Sequence, residues 1–278
     1  MYVLDERLKN YYLAHHGIPG QKWGQRHGPP YPLNSEVSRS IRKNRINYDL
    51  LTGPFDTRGY KRVKQLVDEQ RKIKETISDF KKLKNTDIES IVDGVNPIKH
   101  GDGRNFNCQN SSVALALRLQ GYDVEARLNY DASNVGNLEE AFVSGKLKTI
   151  NVGSWKNKAE LADRHKQLKT AVTTELLKEP VGSTGIFIMP GIVSDDPKQN
   201  TPWFHAINYK VGKNNKLYFY DGQASKKHSI FTIDGFYWDV LDPRDVQFMR
   251  TDNLQPSEKV TKYVISKERG QSANNDKR

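Results

Sequence analysis

One cysteine, one histidine and one aspartate have the residue types and the chain order of a nucleophilic catalytic triad. Cys108 is the single cysteine of the 278-residue chain, and a thiol is a strong nucleophile once it is ionised. A neighbouring imidazole favours that ionisation, and a carboxylate beside the imidazole orients the ring and stabilises its charged form. Cys108, His205 and Asp221 therefore predict covalent acyl chemistry through a thioester.

The position of Cys108 supports this prediction because a helix is expected to follow it. Residues 111–120 have the sequence SSVALALRLQ, which offers an apolar face, and Gly121 is a typical stop signal. The thiol would then lie at or near the positive end of the helix. We expect the backbone N–H of Cys108, together with Asn107 or Gln109, to stabilise an oxyanion.

His205 and Asp221 are expected to meet through a β-hairpin. His205 belongs to a predicted strand at 204–211, and Asp221 lies near the end of another at 216–223. The linking GKNN segment is typical of a hairpin turn, and it places the two residues at roughly mirror positions. Gln223 follows closely and would bring a side-chain amide to the same site.

The same residues also allow a purely structural interpretation. A single buried cysteine usually behaves as a small apolar residue, and a histidine in a strand is usually a surface residue or a hydrogen-bonded core residue. Sequence alone does not fix the register of the hairpin, so both interpretations stay open at this point.

Composition limits the classes of protein to consider. The formal net charge is +11 and hydrophobic residues make up 36% of the chain, so we expect part of it to stay extended or disordered. A basic arm suggests nucleic acid, an acidic partner or an anionic surface, although it also serves solubility. One cysteine excludes an internal disulfide and a cysteine-based zinc site. No apolar window approaches the roughly 20 residues of a membrane span.

The chain divides into four predicted segments. Residues 1–58 are rich in turns, and 59–84 have the periodicity of a basic amphipathic helix that nucleic acid could contact. Residues 85–262 predict an α+β domain with the cysteine-bearing helix on an antiparallel sheet, and 263–278 a disordered tail. A short helix after Thr86, and further strands at 185–190 and 245–250, belong to this domain.

Part of the domain resembles the papain-fold toxin family, which includes protein glutamine deamidase-like domains of polymorphic toxins and of phage-encoded head proteins. The resemblance covers roughly residues 94–223. It rests on an Asn-Cys pair, an arginine before a Gly-Tyr-Asp-Val-x-Ala run, a histidine strand and an Asp-Gly-Gln strand end. These are Asn107, Cys108, Arg118, Gly121 to Val124, Ala126, His205, Asp221, Gly222 and Gln223.

The resemblance implies a papain-like fold and an enzyme that acts on amide bonds of a protein substrate. It leaves glutamine deamidase and peptidase activities open, and the chemistry needs neither a metal nor an organic cofactor. Two positions depart from the family pattern. Ser111 stands where many relatives carry a second cysteine, and Phe204 stands where many carry glycine. The alternative is therefore a catalytically inactive, capsid-associated protein that uses the fold as a basic binding module.

A second resemblance concerns the N-terminal segment HHGIPGQKWGQRHGPPYPL. It is similar to a short motif near the start of many tailed-phage and prophage head proteins, matched here by His15 or His16, Gly17, Gly20, Lys22, Trp23, Gly24 and Arg26. The resemblance implies a phage or prophage protein, such as a minor capsid protein. Our hypothesis is that the segment, through His16, Gly20, Lys22 and Trp23, docks the protein onto capsid or portal components. The protein would be found in the virion or the host bacterial cytoplasm, or be delivered into a target cell. The histidines lack acidic neighbours, so we expect no metal there.

Overall fold

The structure is a computed structural model, and it describes residues 67–84, 87–96, 107–128, 137–150, 161–191, 203–223, 230–235 and 246–269. The predicted docking segment 1–58, with its four named residues, lies outside the described residues. The last nine residues of the chain, 270–278, lie outside them as well.

The centre of the described domain is an antiparallel sheet of six strands in the order β2-β7-β3-β4-β5-β6. The long central pair, β3 and β4, is in register over eight residue pairs. A separate two-stranded ribbon joins β1 to β8. The strands are β1 (Val124–Ala126), β2 (Lys148–Thr149), β3 (Thr184–Gly191), β4 (Trp203–Val211), β5 (Leu217–Tyr220), β6 (Ile230–Thr232), β7 (Gln247–Arg250) and β8 (Val264–Ser266).

The strands are accompanied by α1 (Ile88–Asp93), α2 (Cys108–Leu119) and α3 (Leu161–Leu176), and residues 67–72 are α-helical as well. The α2 helix packs on one face of the sheet in a core cluster that includes Ile186 and Ile188. The α3 helix packs on the opposite face in a cluster that includes Phe187 and Met189. Successive residues of a strand point to opposite faces, so the apolar run of β3 fills both layers. The expected α+β architecture, with Cys108 in a helix packed on an antiparallel sheet, is confirmed.

The β4–β5 hairpin forms at the predicted turn. Asn214 and Asn215 both have a φ of 56°, which is the left-handed conformation that a tight hairpin turn requires. Val211 pairs with Leu217, and Asn208 pairs with Tyr220. The sequence GKNN thus sets the register that returns the end of β5 to the start of β4.

The prediction of a single helix over residues 59–84 is wrong for its second half. Within the described part, α-helix covers 67–72, and a 3₁₀ turn follows at Ile77–Asp79. The backbone of 81–83 pairs instead with 121–123, through the bonds Leu83 N–Gly121 O (2.7 Å) and Asp123 N–Lys81 O (2.8 Å). Backbone groups engaged in that pairing cannot also complete a helix.

The predicted domain boundary near residue 85 is also wrong, because earlier residues belong to the same core. Phe80 is buried in the cluster beneath α2. The Arg127 guanidinium donates to the backbone carbonyls of Gln70 and Ile73. The Gln70 side chain in turn accepts from the backbone N–H of Leu128 at 2.9 Å. The described segment 67–84 is therefore part of the domain that carries Cys108.

The predicted tail 263–278 begins too early. Strand β8 lies within it, is buried, and pairs with β1. The backbone N–H of Ser266 donates to Glu75 at 2.9 Å, which ties β8 to the N-terminal segment as well. Short strands of this kind depend on distant partners, and local sequence gives little sign of them.

Two helix starts differ from the sequence prediction. The α1 helix is capped by Asp87, whose Oδ2 accepts from the backbone N–H of Ser90 at 2.9 Å, whereas Thr86 lies outside the described residues. The α2 helix begins at Cys108 rather than at Ser111. The thiol therefore belongs to the first turn itself.

Arg118 fixes α2 to its neighbours from inside the domain. Its buried guanidinium donates to the carbonyls of Ile91 (2.9 Å) and Val124 (3.1 Å) and to the carboxylate of Asp123 (2.9 Å). Gly94 leaves the space for it, since a Cβ there would lie 2.6 Å from the guanidinium. These contacts join α1, α2 and β1 into one unit.

Among the helices of the described ranges, none has the length and apolar character needed to cross a membrane.

Glu125 gives this fold a testable pH dependence. It is 1% exposed, and its Oε1 has no hydrogen-bond partner among the described residues. Burial raises the pKa of Glu125 to about 8, against smaller lowering effects of Lys267 and Arg118. The folded protein thus keeps a proton that the unfolded chain releases above its ordinary pKa of 4.5. The free energy of unfolding should therefore fall as the pH rises between these values.

Glu125→Gln should remove this loss of stability. We expect the variant to match the parent near the ordinary glutamate pKa and to exceed it by about 2 to 4 kcal/mol at mildly alkaline pH. Urea unfolding across the pH range measures the difference, with the exposed Glu258→Gln as the matched control. A parallel pH dependence in Glu125→Gln and the parent would contradict the assignment.

Candidate active site

Cys108 occupies the first position of α2. Asn107 precedes it as the N-cap residue, and no side-chain hydrogen bond caps the helix there. The twelve-residue helix directs the partial positive charge of its N-terminus toward the thiol. Cys108 is buried, but 7% of its surface stays exposed. Cys108 is also part of the core cluster that α2 forms on the sheet.

His205 and Asp221 meet in the β4–β5 hairpin. Nε2 of His205 lies 2.8 Å from Oδ2 of Asp221, and since an ionised carboxylate can only accept, the ring N–H donates. The other carboxylate oxygen, Oδ1, accepts from the backbone N–H of Gln223 at 2.9 Å. Both side chains are buried. The turn after β5 thus holds the carboxylate in place, and the carboxylate holds the ring.

Cys108 is the second partner of the imidazole. Burial lowers the pKa of His205, but the charge and hydrogen bond of Asp221, and then those of Cys108, outweigh burial and raise the pKa to about 10. This shift favours the imidazolium form of the ring at neutral pH. An imidazolium beside a thiol favours the thiolate.

The structure thus brings together the three residues that the sequence predicts as catalytic, although they come from distant parts of the chain. The Ser111 hydroxyl, one helical turn after Cys108, is buried and has no hydrogen-bond partner among the described residues. The imidazole interacts with Cys108. This arrangement favours Cys108 over Ser111 as the nucleophile.

The three predicted supporting residues, Asn107, Gln109 and Gln223, are all buried. Both amide atoms of Asn107, and the amide oxygens of Gln109 and Gln223, lack hydrogen-bond partners among the described residues. A buried polar group without a partner costs about 1–3 kcal/mol. These three carboxamides therefore lie at the start of α2 and after the end of β5 with hydrogen-bonding capacity that the described residues do not use.

Sequence analysis missed Asn208, which connects the two halves of the site. Its side-chain amide is buried on the face of β4 that packs on α2, and it donates to the backbone carbonyl of Ser112 at 3.0 Å. The available signal was an asparagine inside an apolar strand, a position where this residue type is depleted.

In the ranges that the structure describes, no group of three or more His, Cys, Asp or Glu side chains is placed to bind a metal ion.

Comparisons of the chain with protein-family models, with curated proteins and with solved structures find no match. The chemistry of the site therefore has to be argued from its geometry.

The reactivity of Cys108 tests this geometry directly, because every thiol signal from the chain comes from this residue. We expect iodoacetamide to alkylate the native protein at about pH 6, where an ordinary thiol is almost fully protonated. His205→Ala should slow that reaction about tenfold or more, because the thiol loses its proton acceptor. Intact-protein mass spectrometry over time measures both rates.

The same protein unfolded in urea is the internal control, since it carries the same cysteine without the imidazole. Alkylation that occurs only after unfolding would show that Cys108 is an inert core residue.

Proposed function

We propose that the protein is a cysteine-dependent amidohydrolase that acts on amide bonds of protein substrates. The observation that carries the proposal is the buried contact series from the first residue of α2 to His205 and on to Asp221. A papain-like fold is part of the proposal. Its support is a nucleophile at a helix N-terminus that packs against an antiparallel sheet, with the imidazole on one of the strands.

The first half of the reaction follows from these groups. The Cys108 thiolate attacks the carbonyl carbon of the amide, and the carbonyl oxygen becomes an oxyanion. In this proposal the backbone N–H of Cys108 and the side-chain amide of Asn107 or Gln109 stabilise it. The His205 imidazolium gives its proton to the nitrogen as the C–N bond breaks. Ammonia or an amine leaves, and a thioester remains.

The second half returns the enzyme to its starting state. The neutral imidazole of His205 takes a proton from water, and the resulting hydroxide attacks the thioester carbonyl. The C–S bond breaks, the thiolate and the imidazolium are restored, and the acyl group leaves as a carboxylic acid. Asp221 keeps the ring oriented in both steps and stabilises its charged form.

A deamidase and a peptidase share these steps and differ in the leaving nitrogen. A primary carboxamide of a glutamine side chain releases ammonia, whereas a peptide bond releases a new N-terminus. The proposal covers both activities, and the products decide between them.

Incubation with glutamine-containing proteins and peptides tests the proposal. We expect the parent chain to convert carboxamides to carboxylates with release of ammonia, or to shorten the peptides, and mass spectrometry separates these products. Cys108→Ala should reduce either activity by at least about a thousandfold, because removal of a nucleophile abolishes the covalent route.

Hydroxylamine provides a check on the intermediate. A thioester on Cys108 would transfer its acyl group to hydroxylamine and give a hydroxamate, whereas direct attack by water would not. Equal turnover by the parent and Cys108→Ala would contradict the proposal. An alkylatable Cys108 without turnover on any protein or peptide amide would favour the inactive binding module.

A further inference from the structure

Two contacts outside the triad join α2 to the β4–β5 hairpin. The first is the bond from the Asn208 amide to the Ser112 carbonyl, which is 3.0 Å long and buried. Ser112 lies four residues after Cys108 in α2, and Asn208 lies three residues after His205 in β4. One directional bond therefore links the nucleophile's helix and the imidazole's strand, about one helical turn beyond Cys108 and about 10 Å along β4 from His205.

The second contact is at Gly222, in the turn that follows Asp221. A Cβ at Gly222 would lie 2.9 Å from Cγ1 of Val95 and 3.4 Å from the backbone oxygen of Ser111. Without a side chain, the turn comes against the first turn of α2. The carboxylate of Asp221 is thereby held at a short, fixed distance from the helix that carries Cys108.

Stability alone does not account for Asn208. The residue is fully buried, and its Oδ1 has no hydrogen-bond partner among the described residues. A half-satisfied carboxamide in an apolar layer costs free energy that an aliphatic side chain of similar size would avoid. What the amide supplies, and an aliphatic side chain cannot, is a fixed register between α2 and β4.

We propose that Asn208 is a positioning residue that, together with the close approach at Gly222, sets the distance between the Cys108 thiol and the His205 imidazole. The inference rests on the proposed function, since it concerns the same site. Transfer of a proton from sulfur to nitrogen and the attraction of the resulting ions both depend steeply on that distance. A shift of α2 along β4 would weaken both without removing any reacting group.

The test compares alkylation rates of Cys108 at about pH 6 and about pH 9, where an ordinary thiol is largely ionised as well. The ratio of the two rates cancels changes in steric access to the thiol. In Asn208→Leu we expect the rate at the lower pH to fall about tenfold and the rate at the higher pH to change little.

Gln120→Met is the matched control. Gln120, the C-cap residue at the opposite end of α2, also donates its side-chain amide to backbone carbonyls, those of Thr251 (2.6 Å) and Leu254 (3.2 Å). We expect it to keep the parent ratio even where it lowers the melting temperature. An equal fall of the ratio in Gln120→Met would assign a general structural role and overturn the inference.

A second pair of variants serves if Asn208→Leu does not fold. Gly222→Ala introduces the close contact with Val95 and should lower the ratio, and Val95→Ala in the same chain should restore it by removing the contacted methyl group. An unchanged ratio in Gly222→Ala would overturn the inference.

The two possible failures are distinguishable. If the ratio of alkylation rates changes in His205→Ala but not in Asn208→Leu, the positioning role alone is overturned. Equal ratios in the parent and His205→Ala overturn the proposed function and the positioning role together.

Discussion

The structure depends on keeping three ionisable groups paired away from water. An imidazole buried alone would lose its charge, because removal from water disfavours the charged form. At His205 the opposing charge of Asp221 and the contact with Cys108 outweigh burial and keep the ring protonated. The pairing therefore holds only if the helix N-terminus, the start of β4 and the end of β5 all reach one place.

Each of those elements is packed against other parts of the fold. The β4–β5 pair lies inside a sheet that is covered on both faces, by α2 on one side and α3 on the other. The α2 helix is fixed near its C-terminal end by Arg118 and near its N-terminal end by the Asn208 bond and the Gly222 contact. Side chains held by packed elements of this kind keep a fixed geometry, which the proposed catalysis would require.

Features with a strong local signal could be predicted from the sequence. The apolar run after Cys108 indicated α2, the GKNN turn indicated the hairpin, and the hairpin placed Asp221 near His205. Features that depend on distant pairing could not. The spacing of Ile77, Phe80 and Leu83 suits a helix face, yet in the structure all three pack on the core from a segment that pairs with residues after α2.

Local periodicity does not show whether a distant segment will pair with the same backbone groups and so prevent a helix. The short strand β8 shows the same limit, since its buried residues precede a strongly polar C-terminus and its partner β1 lies far back in the chain. Asn208 was missed for a related reason. The role of an isolated polar residue in a strand can be assigned only when its hydrogen-bond partner is known, and the Ser112 carbonyl is not evident from the sequence.

The pairing of His205 with Asp221 and Cys108 can be measured by NMR titration of the imidazole, through its ring nitrogen and carbon shifts. We expect the ring to stay protonated through neutral pH and to lose its proton only near its raised pKa of about 10. We also expect the pKa of His205 to fall in Cys108→Ala, because the contact with Cys108 contributes to the rise. An imidazole that titrates near the ordinary histidine value of about 6.5, with no change in Cys108→Ala, would show that the three groups are not paired in this way.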